Sequence, residues 1–155
     1  MPKKFSQSSQ NAKLAANEVF IPTMRELVRA YQAFANYSAE HTRKLGLTPS
    51  QFDVIATLGN TDGMNMTDLA EKTLVTKGTL TGIIDRLEKK GIVARLVPPE
   101  NRRSFTIVLT PEGEKVFNMV FPTHIAYLKE RFDRLSPQEL EHTRQALETL
   151  RKIFS

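Results

Sequence analysis

The chain has 155 residues, 40% of them apolar, and no cysteine. That length suits one domain of two lobes, no apolar run approaches a bilayer span, and the polar start lacks the apolar heart of a secretion signal. The absent thiols exclude disulfides, thiolate-bound zinc and thiol redox sensing within the chain, and fit a cytoplasmic setting. The formal net charge of +5 is local: residues 72–103 hold eight Lys and Arg against three acids, which accounts for all of it. A patch of this kind is the footprint of a polyanion binder. A membrane is a poor partner for it, because a hairpin flanked by short helices is not a membrane-surface helix.

Residues 11–20 read as a short separate helix. A long helix begins near Pro22, where Met24, Leu27, Val28, Tyr31 and Phe34 recur at helical spacing, and runs to about Lys44 before Gly46. In "LTPSQFDVIATLG" Thr48 can cap, Pro49 suits the first helical position and Gln51 completes a capping box. Residues 59–63 are a loop on composition. Asn65 then caps a short helix with Leu69 in the core. After a tight "LV" connection, Thr76 is the expected cap of a helix whose stripe is Leu80, Ile83, Ile84 and Leu87, stopped by Gly91.

"GIVARLV" and residues 104–109 read as the arms of a hairpin: Phe105, Ile107 and Leu109 alternate with Ser104, Thr106 and Val108. Pro98 and Pro99 cannot continue a ladder, which puts Arg102 and Arg103 at an exposed turn. They either protect a strand edge or probe something anionic. Thr110 and Pro111 start a helix carrying Val116, Phe117, Val120, Ile125, Leu128 and Phe132, with a kink expected at Pro122. Ser136 and Glu139 form the capping box of a last helix bearing Leu140, Ala146, Leu147, Leu150 and Ile153. The fold class is therefore mainly α with a small β-hairpin: two short helices tightly joined, then a hairpin, is a winged helix-turn-helix.

On the helix from Lys77 to Lys90, Gly78, Gly82, Asp85 and Lys89 lie opposite the apolar stripe, flanked by Thr79, Thr81 and Arg86. Glycine at two such positions costs helix stability and permits close approach of another surface. Base edges are read by the N-terminal residues of a recognition helix, here Thr76, Lys77, Thr79 and Thr81. Asp85 would repel phosphate and is expected to orient Arg86 or a hairpin arginine.

Residues 85–113, "DRLEKKGIVARLVPPENRRSFTIVLTPEG", resemble the winged-helix signature of the multiple-antibiotic-resistance regulator (MarR) family. The family's wing motif reads Asp-x-Arg-(Ser/Ala)-x-x-Val-x-Leu-Thr-x-x-Gly, and this chain has Asn101, Arg103, Ser104, Ile107, Leu109, Thr110 and Gly113 at those spacings. The resemblance covers nearly all of the chain from about Val19. It implies a homodimer with intertwined chain ends, bound to a pseudo-palindromic double-stranded DNA site, with Arg103 in the minor groove and Arg102 near the backbone. The motif's acid is Asn101 here, and an amide holds an arginine fork more weakly than a carboxylate. "GTLTGIIDRLEKKG" is also similar to the family's organic-hydroperoxide sensors, but their chemistry needs the cysteine that this chain lacks.

Together these readings give Thr76, Lys77, Gly78, Thr79, Thr81, Gly82, Arg86, Arg102, Arg103 and Ser104 as DNA-binding candidates. They divide one domain, residues 1–155, into a DNA-binding lobe at 48–110 and a helical dimerisation lobe from 11–46 and 111–155. His41, His124 and His142 are scattered without metal-pair spacing and read as ordinary surface or boundary residues, so no metal or cofactor is expected. No nucleophile elbow, phosphate loop or carboxylate pair argues for an enzyme. A small aromatic or anionic effector is a candidate ligand, its pocket residues unassigned. The leading expectation is a DNA-binding transcriptional regulator that represses. The competing one is a winged-helix module that binds nucleic acid without sequence choice or serves protein interaction.

Overall fold

Short-range capping chemistry sets most of the helix starts. A computed structural model describes residues 7–100 and 104–155, and its elements run α1 (Gln7–Ala15), α2 (Ile21–Lys44), α3 (Pro49–Leu58), α4 (Met66–Lys72), α5 (Lys77–Lys89), β1 (Val93–Leu96), β2 (Thr106–Leu109), α6 (Pro111–Phe132) and α7 (Pro137–Lys152). Thr48 and Ser136 form reciprocal capping boxes with Gln51 and Glu139, and Asn65 and Thr110 accept from the third amide of their helices. The first helix lies earlier than the 11–20 expected. Asn17 explains where it stops, because its side-chain amide donates to the Lys13 carbonyl at 3.0 Å and competes for the last turn.

The chain divides into two compact units, one through Ser38 and one from Ala39. In the first, α2 carries Met24, Val28 and Tyr31 on one stripe, and all three are exposed, Tyr31 at 69%. In the second, the core is built from Val54, Ile55 and Leu58 of α3, Leu69 of α4, and Leu80, Ile84 and Leu87 of α5, closed by Ile107 of the hairpin and Val120 of α6. These side chains follow the helical periodicity of the sequence almost without exception.

β1 and β2 are antiparallel, with Val93 opposite Leu109, Ala94 opposite Val108, Arg95 opposite Ile107 and Leu96 opposite Thr106. Met64 adds a bridge on the other side of β2, exchanging backbone hydrogen bonds with Ile107 at 3.0 and 2.8 Å. Ser104 and Phe105 fall outside the strand that alternation assigned to them. Their partner arm has already ended at Leu96, just before the two prolines, so no ladder remains for them to join. At the base of the hairpin Gly113 is required by close approach: a Cβ there would stand 2.0 Å from the Ile92 carbonyl oxygen. Pro122 lies inside α6, which continues as one helix through it.

Candidate nucleic-acid interface

α5 buries Leu80, Ile83, Ile84 and Leu87 and leaves Lys77, Gly78, Thr79, Thr81, Asp85, Arg86 and Lys89 exposed, with Gly82 half-buried. An added Cβ would meet nothing within 4 Å at either Gly78 or Gly82. The fold itself therefore makes no demand for glycine at these two outward positions, although each costs about 1 kcal/mol against alanine in a helix interior.

Thr76 occupies the N-cap position with extended backbone, but its side chain does not cap α5, contrary to expectation. The reason is its neighbour one turn on. The hydroxyls of Thr76 and Thr79 hydrogen-bond each other, and the Thr79 amide that a cap would take donates to the Thr76 carbonyl oxygen at 3.0 Å. The first turn of α5 thus keeps its amides without a side-chain acceptor, which leaves the positive end of the helix dipole facing outward.

The charges sort into two groups. Lys77, Arg86, Lys89 and Lys90 make no ion pair among the described residues and are exposed. Arg95 of β1 does the opposite: it bonds both Asp85 and Glu88 of α5, which raises its pKa above the ordinary arginine value, chiefly through the Asp85 hydrogen bond. Asp85 accordingly orients a hairpin arginine and not Arg86. Sequence reasoning left Arg95 out of the candidate site. The signal was present in an acid pair three residues apart on an otherwise basic helix.

Asp53 of α3 fixes the entry to α5, its Oδ2 accepting the Leu74 amide at 2.6 Å. Burial pushes this carboxyl above its usual value and the Leu74 bond works against that rise. Leu74 itself is 90% exposed on the turn between α4 and α5. Ser104 is exposed at the start of the second hairpin arm. Asn101, Arg102 and Arg103 lie outside the described residues.

Away from α5, His124 is not the surface or boundary residue that its scattered spacing suggested, and it meets a second histidine. His41 at the end of α2 and His124 of α6 meet Nδ1 to Nδ1 at 2.8 Å. His124 is 1% exposed, with the Phe52 ring edge-on at 4.5 Å, and His41 stacks on Tyr127 at 4.0 Å. Burial and then the neighbouring His41 hold the His124 pKa below the ordinary histidine value. Among the described residues no three His, Cys, Asp or Glu side chains gather to hold a metal, and no helix is long and apolar enough to cross a membrane.

Residues 47–105, which take in α3, α4, α5 and β1 and stop just before β2, match the MarR family. The HTH-type transcriptional regulator MhqR of Bacillus subtilis is 31% identical over 115 residues, which are 74% of this chain and 79% of that protein. The chain belongs to the MarR family. It is a DNA-binding transcriptional regulator of the winged helix-turn-helix type and not a member of an enzyme family. AbsC, a MarR family regulator of Streptomyces coelicolor, superposes with a TM-score of 0.76 at 25% identity, over 97% of this chain and 96% of its own. BpsR of Bordetella bronchiseptica, whose DNA binding is regulated by 6-hydroxynicotinic acid, has the same fold, with a TM-score of 0.75 at 24% identity over 86% of this chain and 95% of its own. Among the described residues, seven helices and a two-stranded wing make this a MarR fold.

Proposed function

We propose that this MarR-family regulator acts as a homodimeric repressor that recognises a pseudo-palindromic duplex. In this reading α5 enters the major groove with Thr76, Lys77, Gly78, Thr79, Thr81 and Gly82 toward the bases and Arg86 toward the backbone. The wing, with Arg102, Arg103 and Ser104, straddles the adjoining minor groove. Residues 48–110 form the DNA-binding lobe, and residues 11–46 with 111–155 form the dimerisation lobe. The observation that carries the reading is the outward face of α5. It bears two glycines that no internal contact requires, an uncapped first turn, and cations without partners among the described residues. Each of these helps a helix approach a polyanion closely.

Two helices related by a twofold axis would meet successive major grooves roughly 34 Å apart. A small aromatic or anionic effector would release the DNA by favouring a dimer with another spacing, since a ligand shifts such an equilibrium only through unequal affinity for its two states. The effector known to regulate BpsR is of that chemical kind.

Selection of bound duplexes from a random pool tests the proposal, and an inverted repeat is the expected result. Competition with scrambled duplex decides against a module without sequence choice. Arg103→Ala is expected to weaken binding and to lower the slope of log affinity against log salt by about 2, one for each wing of the dimer. An unchanged affinity and slope would remove the wing from the interface.

A further inference from the structure

β1 holds an arginine where strand alternation calls for an apolar side chain. Arg95 shares a face with buried Val93 and stands opposite Ile107, which is fully buried. Only 25% of its side-chain surface is exposed. Nη2 donates to Asp85 Oδ1 at 2.5 Å and Nη1 donates to Glu88 Oε1 at 2.8 Å. The guanidinium carbon lies 5.7 Å from the centre of the Phe105 ring, on the far arm of the hairpin. One planar cation thus bonds two carboxylates a helical turn apart and stacks toward a ring of the wing. A rigid fork fixed at two points sets a direction as well as a distance.

We infer that Arg95 is a positioning residue for DNA recognition, which sets the angle of the wing on α5 and makes no DNA contact of its own. The inference rests on the proposed function, in which wing and helix engage neighbouring grooves together. It separates Arg95 from the other cations of residues 72–103. Among the described residues Lys77, Arg86, Lys89 and Lys90 are exposed and make no ion pair, whereas Arg95 is paired with Asp85 and Glu88. It also gives a reason for two acids on a helix that meets a polyanion: Asp85 and Glu88 are the anchor points of the fork.

The two roles open to Arg95 predict opposite signs for one variant. Asp85→Asn/Glu88→Gln removes two negative charges from a face that meets phosphate. If the acids merely restrained a DNA-binding arginine, this variant would bind duplex more tightly. Positioning by the fork predicts weaker binding, roughly three- to tenfold, the size that exposed charge networks support. Arg95→Ala should lose a similar factor, and Arg95→Lys, which keeps the charge without the fork, should lie nearer to alanine than to wild type. The triple variant should be no worse than either parent, because both break one device.

The probes are the duplex selected by the full wild-type chain and a scrambled duplex of equal length. Hydrogen exchange of the β1 and β2 amides, read without DNA, is expected to speed up in each variant while α3 amides stay unchanged. Unchanged hairpin exchange, or binding by the double variant that equals or exceeds wild type, would overturn the inference. Faster exchange in a chain whose wild type ignores every duplex would instead sink the DNA reading and leave the fork standing.

Discussion

Two imidazoles 83 residues apart, those of His41 and His124, meet Nδ1 to Nδ1 in one hydrogen bond. His124 has its pKa depressed in the folded chain, first by burial and then by His41. The unfolded chain therefore takes up a proton more readily. The stability this residue contributes is complete above the unfolded value of about 6.5 and is lost as pH falls below it. Thermal midpoints are expected to drop between pH 7.5 and 5.5, by at most about 1.4 kcal/mol of stability per pH unit for this one proton. His124→Phe should flatten that dependence, and equal slopes for the two proteins would clear His124 of the effect. None of this was legible in the sequence, since the contact joins the end of α2 to the middle of α6. Thr48, Asn65, Thr110 and Ser136 were legible because a cap involves residues only three apart.

At the scale of one helix, α5 sacrifices its own stability along the outward stripe. Gly82→Ala is expected to raise stability by about 0.5–1 kcal/mol, because open space surrounds the new methyl and the unfolded chain loses freedom. The same change should weaken duplex binding. Denaturant melts and DNA titrations on one preparation would read both effects. A variant that is stabilised and still binds normally would return Gly82 to an incidental role. The buried side of α5 could be read directly, since Leu80, Ile83, Ile84 and Leu87 obey one periodicity. Its first turn could not. Thr76 satisfies every sequence rule for a cap, and only the position of the Thr79 hydroxyl in three dimensions diverts it. The expected turn at Arg102 and Arg103 lies outside the described residues, and the second strand starts later than alternation assigned because alternation alone does not know where a partner stops.

For the molecule as a whole, the apolar residues left in contact with water are the informative ones. Met24, Val28 and Tyr31 stand 45%, 47% and 69% exposed on α2, and Leu147, Ile153 and Phe154 near the other terminus are 51%, 69% and 79% exposed. Helical spacing picked out all of these except Phe154, without saying whether the same chain or a second copy covers them. A second copy is the reading taken here. Tyr31→Asp is then expected to shift sedimentation toward monomer and to weaken duplex binding by about 100-fold, as the second half-site loses its tethered advantage. A dimeric variant, or a monomeric one with full affinity, would contradict the twofold arrangement. At the foot of the wing a single hydroxyl gathers three parts of the second unit. Thr110 Oγ1 donates toward the carbonyl oxygens of Gly91 and Ile92 at 2.5 and 3.2 Å and accepts the Gly113 amide at 3.0 Å. The end of α5, the root of the hairpin and the opening turn of α6 are pinned to that oxygen like three spokes on one axle. Thr110 is also the single residue between the end of β2 and the start of the 22-residue α6, so no slack loop separates the wing from that long helix.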